Sequence, residues 1–149
     1  MMIELRPVTQ SDMAQCAAIL NDWIDETPWM PRELAHDEIE RIYDKALANG
    51  REGFVAWDDG VCGYTLFVRA EQRLAVLYVK RGSRQQQLGT RLLSAVKESL
   101  PQRIELTCYE PNARAQQFYR RHGFREVGRV EPEKENGVAE LKFVWTGHD

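Results

Sequence analysis

The chain has 149 residues, and its 20 basic and 23 acidic side chains give a formal net charge of −3. This length predicts a single domain with a sizeable core, and contents of 43% hydrophobic and 29% charged residues are ordinary for a soluble globular protein. The slightly acidic balance argues against a general nucleic-acid binder, whose surface is usually basic.

Targeting and redox features of the sequence predict a cytoplasmic protein without a membrane partner. The N-terminal stretch carries Glu4 and lacks the apolar segment of a signal peptide. No apolar run approaches the roughly 18 residues of a membrane span. The scattered cysteines, Cys16, Cys62 and Cys108, lack CxxC spacing, which favours a reducing compartment over a disulfide framework. The three histidines lack the spacing of metal ligands, so we expect no metal.

The first half of the chain predicts a strand, two helices and a hairpin. The predicted spans are a strand at 2–8, helices at 10–24 and 32–48, and strands at 52–58 and 61–68. Thr9 and Asp12 form a capping pair before the first helix. Between the helices, two prolines bracket Trp29 and Met30, which either form a lid over a pocket or anchor the loop on the core. Asp59, followed by a glycine, predicts the hairpin turn.

The second half of the chain predicts strands that alternate with helices. The predicted spans are strands at 74–79 and 103–108, helices at 88–100 and 112–122, and strands at 124–130 and 138–145. Asn112 is a good N-cap, and Gly123 suits the end of the same helix. Because a helix joins the strands at 74–79 and 103–108, we expect these two strands to be parallel. The whole order, β-α-α-β-β-β-α-β-α-β-β, predicts an α/β fold with a mixed sheet and helices on both faces.

The stretch from Leu74 to Leu93 predicts an anion site. An apolar strand is followed by a basic, polar loop and then by an amphipathic helix that begins near Leu88. A helix leaves its first N–H groups unpaired and carries partial positive charge there, and Arg84 adds a formal charge. We therefore expect this stretch to hold the pyrophosphate of a cofactor.

Two segments of the chain follow known family patterns. The first, Arg84-Gln85-Gln86-Gln87-Leu88-Gly89, matches [Q/R]-x-x-G-x-[G/A] at its first and last positions and has glutamine at the middle glycine. The second is Asn112-x-x-Ala115-x-x-Phe118-Tyr119-x-x-His122-Gly123-Phe124. In this order and spacing they resemble the motifs of the GCN5-related N-acetyltransferase (GNAT) superfamily. The resemblance covers nearly the whole chain.

The resemblance implies one GNAT-type domain over residues 1–149. Its α/β (α+β) fold would have a mixed, mostly antiparallel central sheet of about seven strands. Helices would cover both faces, and the parallel central strand pair would be splayed.

The resemblance also implies acetyl-CoA as cosubstrate and assigns its binding residues. Backbone groups of Leu77, Tyr78 and Val79 would bind the pantetheine arm in a slot that a β-bulge opens beside this strand. The pyrophosphate would be held by Arg84 and by backbone N–H groups of Gln85, Gln86, Gln87, Leu88, Gly89 and Thr90. The remaining cofactor-binding positions are Asn112, Ala115, Phe118 and Tyr119. A glutamine at position 87 would be harmless if its φ angle stays negative.

The implied chemistry places Tyr119 near the cofactor sulfur, where its phenol would protonate the departing thiolate. The alternative is a core tyrosine whose hydroxyl is hydrogen-bonded. The Val79 N–H would polarise the acetyl carbonyl. Glu105 and Glu110 are the candidate general bases, acting directly or through water, and each is otherwise a solvated surface carboxylate.

These residues predict acetyl transfer from acetyl-CoA to a primary amine of a small molecule or peptide, by direct attack in a ternary complex. The alternative is a non-catalytic acyl-CoA-binding module, and a nucleic-acid-binding role is the weakest reading. The sequence leaves open whether the protein forms a homodimer. Trp29 and Met30 are the candidate acceptor-binding residues.

We expect three segments to shape the acceptor entrance: 26–32, 68–73 and the hairpin at 131–136. The first and third of these segments contain several carboxylates, and one more lies just before the first segment. These carboxylates either attract a cationic amine or are simply solvated. The carboxylates are Asp25, Glu26, Glu131, Glu133 and Glu135.

Overall fold

The computed structural model describes residues 3–83 and 87–147. Over these residues the strands are β1 Glu4–Pro7, β2 Glu52–Trp57, β3 Val61–Val68, β4 Arg73–Val79, β5 Arg103–Tyr109, β6 Arg125–Val130 and β7 Glu140–Thr146. The α-helices are α1 Met13–Glu26, α2 His36–Ala46, α3 Leu88–Ser99 and α4 Ala113–Arg121. Short 3-10 turns precede α1 and β4. Three predicted pyrophosphate ligands, Arg84, Gln85 and Gln86, lie outside the described residues.

The strands form one mixed sheet in the order β1-β2-β3-β4-β5-β7-β6. Each neighbouring pair is antiparallel except β4 and β5, which are parallel. One face packs against α1 and α2 through residues such as Cys16 and Tyr64, and the other packs against α3 and α4 through residues such as Val96 and Ile104. The structure confirms the predicted fold class, including the parallel central pair and the helices on both faces.

The second helix begins later than the sequence pattern predicts, at His36 instead of Arg32. The Arg32 guanidinium holds the preceding loop in an irregular conformation, because it donates to the Asn21 side-chain oxygen at 2.9 Å and to the Leu34 carbonyl at 3.0 Å. The helix then starts where the Glu38 carboxylate accepts a hydrogen bond from the Ala35 N–H at 3.0 Å.

A β-bulge at Ala75 separates β4 from its parallel neighbour. The register with β3 pairs Phe67 with Leu74 but Leu66 with Val76, so Ala75 is the extra residue. Because of this insertion, Leu74 packs on the α3 side of the sheet, whereas Val76 packs on the α1 side. The predicted bulge is therefore present, near the start of the strand.

The parallel strands β4 and β5 stay together only where they begin. Arg73 is in register with Glu105, whose N–H donates to the Gln72 carbonyl at 2.8 Å. From this closed end the two strands diverge toward their carboxyl ends, which is where ligands bind in sheets of this kind.

A buried carboxylate fixes the start of α1 against the edge strand β1. Asp12 is 2% exposed and accepts two hydrogen bonds from the Arg6 guanidinium, at 2.8 and 2.9 Å. It also accepts bonds from the Thr9 N–H at 2.8 Å and the Thr9 hydroxyl at 3.0 Å, as the predicted capping pair requires. The Arg6 guanidinium holds the pKa of Asp12 below its usual range.

We predict that Asp12→Ala lowers the free energy of unfolding at pH 7 by about 2–3 kcal/mol, since it removes a buried carboxylate that caps the helix and leaves the partly exposed Arg6 guanidinium without this partner. A carboxyl whose folded-state pKa is lowered stabilises the fold above its unfolded pKa, and this stabilisation is lost as the pH falls through the folded value. The difference between wild type and Asp12→Asn should therefore shrink below about pH 4. Urea denaturation at several pH values measures it.

The control is Asp37→Asn, which removes a fully exposed partner of Arg41 and should leave stability nearly unchanged. A large loss in this variant, or a pH-independent difference for Asp12→Asn, would contradict the assignment.

Candidate active site

A cavity of about 330 Å³ fills the gap between the diverging strands β4 and β5. It is lined from both faces of the sheet, because Leu77 and Tyr119 lie on the α3/α4 side and Trp23 and Tyr109 lie on the α1/α2 side. The cavity is therefore a slot that passes through the sheet, and we call it the central slot. The predicted site residues Leu77, Tyr78, Asn112, Ala115, Tyr119 and Met30 line it.

The peptide groups of β4 beyond the bulge alternate between its two sides. The Lys80 N–H donates to the Cys62 carbonyl at 2.7 Å, which fixes the phase of the antiparallel ladder with β3. In that phase, Leu77 and Val79 turn their peptide groups toward β5, where the strands have separated. An extended ligand chain in the slot would meet these groups as it would meet a neighbouring strand.

Helix α3 starts beside the open end of β4. Its first intrahelical bond runs from the Arg91 N–H to the Gln87 carbonyl at 3.1 Å, so the N–H groups of Leu88, Gly89 and Thr90 belong to the open first turn. A negative ligand group is favoured at such a terminus. This geometry fits the predicted pyrophosphate position.

The condition under which a glutamine at position 87 would be harmless, a negative φ, is not met. Gln87 caps α3 with φ 55° and ψ 31°, a left-handed conformation that glycine adopts without steric cost. The left-handed backbone conformation therefore explains why the family pattern has glycine at this position. This chain keeps that conformation although glutamine replaces the glycine.

The two sequence motifs contact each other through α3 and α4. A Cβ atom on Gly89 would lie 3.3 Å from the Phe118 ring, so a side chain there would crowd the helix interface. The Thr90 hydroxyl and the His122 ring share a hydrogen bond at 3.2 Å, and Phe118 packs on His122 with ring centroids 4.6 Å apart. At the start of α4 the Asn112 side chain accepts a hydrogen bond from the Ala115 N–H at 3.1 Å. Much of the second motif thus holds α4 against α3.

Tyr119 is the side chain of α4 that reaches the central slot from a buried position. It is 9% exposed and packs on Phe118, Phe124 and Phe143. Burial raises the pKa of its phenol well above the ordinary value, so the hydroxyl stays protonated at neutral pH. Among the described residues the Tyr119 hydroxyl has no hydrogen-bond partner, although it belongs to a side chain that lines the slot.

Comparison with known proteins decides the family. The sequence profile of the acetyltransferase (GNAT) family matches residues 16–124. The chain belongs to this family. Acetyl-CoA is the cosubstrate of GNAT acetyltransferases, which agrees with the prediction from the sequence motifs. No curated protein matched the chain in a sequence search.

Solved structures share the GNAT fold over the whole chain at low identity. The Salmonella typhimurium protein yncA, solved with its cofactor acetyl-CoA, has a TM-score of 0.77 at 17% identity and covers 100% of this chain and 96% of its own. A ribosomal-protein-alanine N-acetyltransferase from Brucella melitensis has a TM-score of 0.77 at 19% identity, with coverages of 96% and 99%. An N-acetyltransferase from Staphylococcus aureus Mu50 has a TM-score of 0.78 at 15% identity, with coverages of 98% and 99%.

The two predicted general bases of this GNAT chain lie away from the central slot. Glu105 pairs with Lys142 at 3.1 Å and with Arg103 at 3.2 Å. Glu110 receives two hydrogen bonds from Arg129, each at 3.0 Å. These cations lower the pKa of both carboxyls, which weakens them as bases. Neither side chain lines the slot, so their positions lend no support to the base role.

Three packed aromatic rings, those of Trp23, Tyr78 and Tyr109, form part of the wall of the slot on the α1/α2 side. Trp23 packs against Tyr78 with centroids 5.1 Å apart and against Tyr109 with centroids 6.0 Å apart. Trp29 supports this group from behind, 5.7 Å from Trp23 and 5.9 Å from Tyr109, whereas its neighbour Met30 lines the slot directly. Trp29 thus anchors the loop on the aromatic group.

The sequence analysis missed many residues of the slot, among them Glu33, Tyr109 and Glu140. Glu140 lies opposite Tyr109 across the β5–β7 ladder, and the Thr107 hydroxyl donates to its carboxylate at 3.0 Å. Placing these residues together requires knowing that β7 inserts between β5 and β6. The local sequence pattern does not predict that β7 lies between β5 and β6.

Two of the three predicted entrance segments border the slot. A second cavity of about 260 Å³ lies between the α1–α2 loop and the β6–β7 hairpin, and it shares Met30, Glu33, Tyr109 and Glu140 with the slot. The prediction for segment 68–73 is wrong, because this segment lies at the closed end of the two strands. There Arg69 bonds Glu52 at 2.9 Å and the Ser99 carbonyl at 2.9 Å.

The negative charge predicted for the entrance is largely neutralised. Asp25 pairs with Arg32 and with His36, each at 2.8 Å, and Glu131 pairs with Arg129. Within residues 3–83 and 87–147, no group of three or more side chains is arranged to hold a metal ion. None of the described helices has the length and apolar character to cross a membrane.

We predict that Gln87→Gly preserves or raises the melting temperature, whereas Gln87→Val lowers it by about 2–5 °C. Glycine relieves a left-handed conformation that costs other residues roughly 1 kcal/mol, and a β-branched residue increases that cost. Differential scanning fluorimetry measures the shift.

The matched control is Gln102→Val, which replaces an exposed glutamine that has no left-handed backbone. Equal losses for Gln87→Val and Gln102→Val, or a clear loss for Gln87→Gly, would contradict strain at position 87.

Proposed function

We propose that this GNAT protein transfers the acetyl group of acetyl-CoA to a primary amine by direct attack in a ternary complex. The observation that carries this proposal is the slot through the sheet, with the largely buried Tyr119 side chain in its wall. The acyl donor would enter the slot from the α3/α4 side, and the amine would enter from the α1/α2 side. We place the reaction in the cytoplasm, since Cys16, Cys62 and Cys108 are all free.

Backbone groups hold most of the donor in this proposal. Leu77 and Val79 offer their peptide groups to the pantetheine arm, and the Val79 N–H lies on the strand edge that would face the acetyl carbonyl. The first turn of α3, with Arg84, Gln85 and Gln86 of the preceding loop, binds the pyrophosphate. Asn112 lines the same slot while it caps α4, so one residue can serve both roles.

Tyr119 supplies the proton in the bond-breaking step. The amine nitrogen forms a bond to the carbonyl carbon, the carbon–sulfur bond breaks, and the phenol proton goes to the departing sulfur. The nitrogen gives up one proton, so the products are an amide and the free thiol. A phenol with a raised pKa is suited to this role, because it enters the reaction protonated.

We predict that Tyr119→Phe lowers kcat by about a hundredfold or more, because general acid catalysis contributes on the order of 10²–10⁴. The dissociation constant for acetyl-CoA should change little, since the donor is held mainly by backbone. Release of free thiol in the presence of a panel of amines measures the rate, and calorimetry measures the affinity.

The matched control is Tyr64→Phe. This variant removes a buried hydroxyl that bonds Tyr43 at 2.6 Å; Tyr64 itself does not line the slot, although Tyr43 does. It should lower stability by about 1 kcal/mol and leave kcat unchanged. Unchanged turnover in Tyr119→Phe would rule out the acid role. Tight acetyl-CoA binding without thiol release from any amine would favour an acyl-CoA-binding module.

A further inference from the structure

On the α1/α2 side of the sheet, the lining of the central slot is largely apolar, and we call this part of the slot the chamber. Leu20 and Ile24 of α1 and Ile39 and Ile42 of α2 line it together with Leu34 of the connecting loop. Leu34 is 41% exposed and Ile42 is 52% exposed, which is unusual for large aliphatic side chains that face a concave surface. A ligand with an apolar body would cover both.

The charged side chains that line the slot and chamber are all acidic. Among the described residues that line them, these are Glu33 and Glu140, and no lysine, arginine or histidine joins them. The nearest cation along β7, Lys142, is held by the Glu105 carboxylate at 3.1 Å. A ligand with an ammonium group is therefore matched here, whereas a ligand carboxylate would lack a counter-charge.

Glu140 is the better placed of the two carboxylates. It lies on a sheet strand, and the Thr107 hydroxyl anchors it by donating to Oε1 at 3.0 Å. Glu33 lies exposed in the α1–α2 loop. Burial and the charges of Glu140 and Glu33 raise the pKa of Tyr109 to about 12, which places both charges near that ring in the slot wall.

A second feature of the slot also indicates a ligand. The Tyr119 side chain is 9% exposed and lines the slot, and its hydroxyl has no partner among the described residues. No buried side-chain oxygen or nitrogen of the described residues lacks a partner, so the unpartnered Tyr119 hydroxyl is accessible from the slot, where a bound molecule can reach it. A proton donor on α4 and a carboxylate on β7 thus line the same cavity.

We propose that the acetyl acceptor is a primary amine with an apolar, uncharged body and no carboxylate group. Its body lies in the chamber between α1 and α2, and its ammonium group binds Glu140. This inference rests on the acetyl transfer proposed above. Glu140 takes the first of the two protons that the ammonium nitrogen must lose, and the neutral nitrogen then forms its bond to the carbonyl carbon. Tyr119 protonates the sulfur as the carbon–sulfur bond breaks, and the second proton lost by the nitrogen restores the Tyr119 phenol through solvent, which leaves an amide, the free thiol and a protonated Glu140.

The apolar lining of the chamber disfavours a polyamine. Its further ammonium groups would lie among the aliphatic side chains of α1 and α2, which offer them no counter-charge or hydrogen-bond acceptor. An amino acid is disfavoured because its carboxylate would enter a chamber whose charged groups are acidic.

The test compares four amines as acceptors with the full chain and acetyl-CoA, with free thiol as the readout. Phenethylamine should exceed ethylamine in kcat/KM by about 30-fold, since the ring adds apolar contact in the chamber. It should exceed phenylalanine, which adds only a carboxylate, by about a hundredfold or more. Spermidine should fall below phenethylamine.

Two variants connect this preference to the chamber and to Glu140. Ile42→Ser should lower kcat/KM for phenethylamine about tenfold and leave ethylamine unchanged. The control Val127→Ser changes an apolar residue of similar exposure, 49%, on the edge strand β6, and it should change neither value.

Glu140→Gln should raise KM for phenethylamine about tenfold or more while KM for acetyl-CoA stays constant. The control Glu98→Gln, exposed on α3, should change neither KM.

A higher kcat/KM for spermidine or phenylalanine than for phenethylamine would overturn the proposal, as would an equal effect of Ile42→Ser on phenethylamine and ethylamine. Failure of the transfer reaction itself is recognised separately. If no amine releases thiol, calorimetry with phenethylamine in the presence of coenzyme A decides the acceptor question. Binding that Ile42→Ser and Glu140→Gln both weaken supports the chamber, and absence of binding overturns it.

Discussion

The site depends on one backbone irregularity, the extra residue at Ala75 in β4. Without it, β4 could continue its ladder with β5 and close the sheet. With it, the strands part after the Arg73–Glu105 pair, and the peptide groups of Leu77 turn toward a gap. Backbone polar groups at such a gap need hydrogen-bond partners, so the divergence creates a strand-like binding edge. The buried Thr65 hydroxyl steadies the departing strand by donating to the Val76 carbonyl at 2.9 Å.

The two sequence motifs build the frame around that gap. Gly89 lets α3 approach the Phe118 ring, and Thr90 bonds His122 at the end of α4. Lys97 reinforces the same junction by donating to the His122 carbonyl at 2.7 Å. Because these contacts fix α4 on α3, Tyr119 keeps its place in the slot wall. The backbone conformation at the start of α3 belongs to the same frame. Gln87 adopts the left-handed conformation that the family pattern assigns to glycine, although it carries a side chain.

The sequence was sufficient for the fold and for one wall of the slot. Apolar periodicity and turn residues predicted the strands and helices within a few residues, and the Asn112–Phe124 pattern brought Tyr119 and Asn112 to the slot. The bulge could not be located, because an unbroken apolar run such as 74–79 carries no mark of a register change. Glu140 was missed for a related reason: its neighbours Tyr109 and Thr107 are set by strand order, which is a tertiary property.

The charges around the slot also bear on the two proton transfers of the proposed reaction, one to the sulfur and one from the nitrogen. Carboxylates outside it are tied to cations, as Glu105 is to Lys142 and Glu110 is to Arg129, and these pairs lower their pKa values. Inside it, Tyr119 is kept protonated by burial, whereas Glu140 is held by a neutral hydroxyl. Direct attack by an ammonium-bearing acceptor needs one group that gives a proton to sulfur and another that removes one from nitrogen. If both proposals hold, the slot divides these tasks between a phenol on α4 and a carboxylate on β7, so the acceptor and the donor meet from opposite faces of the sheet.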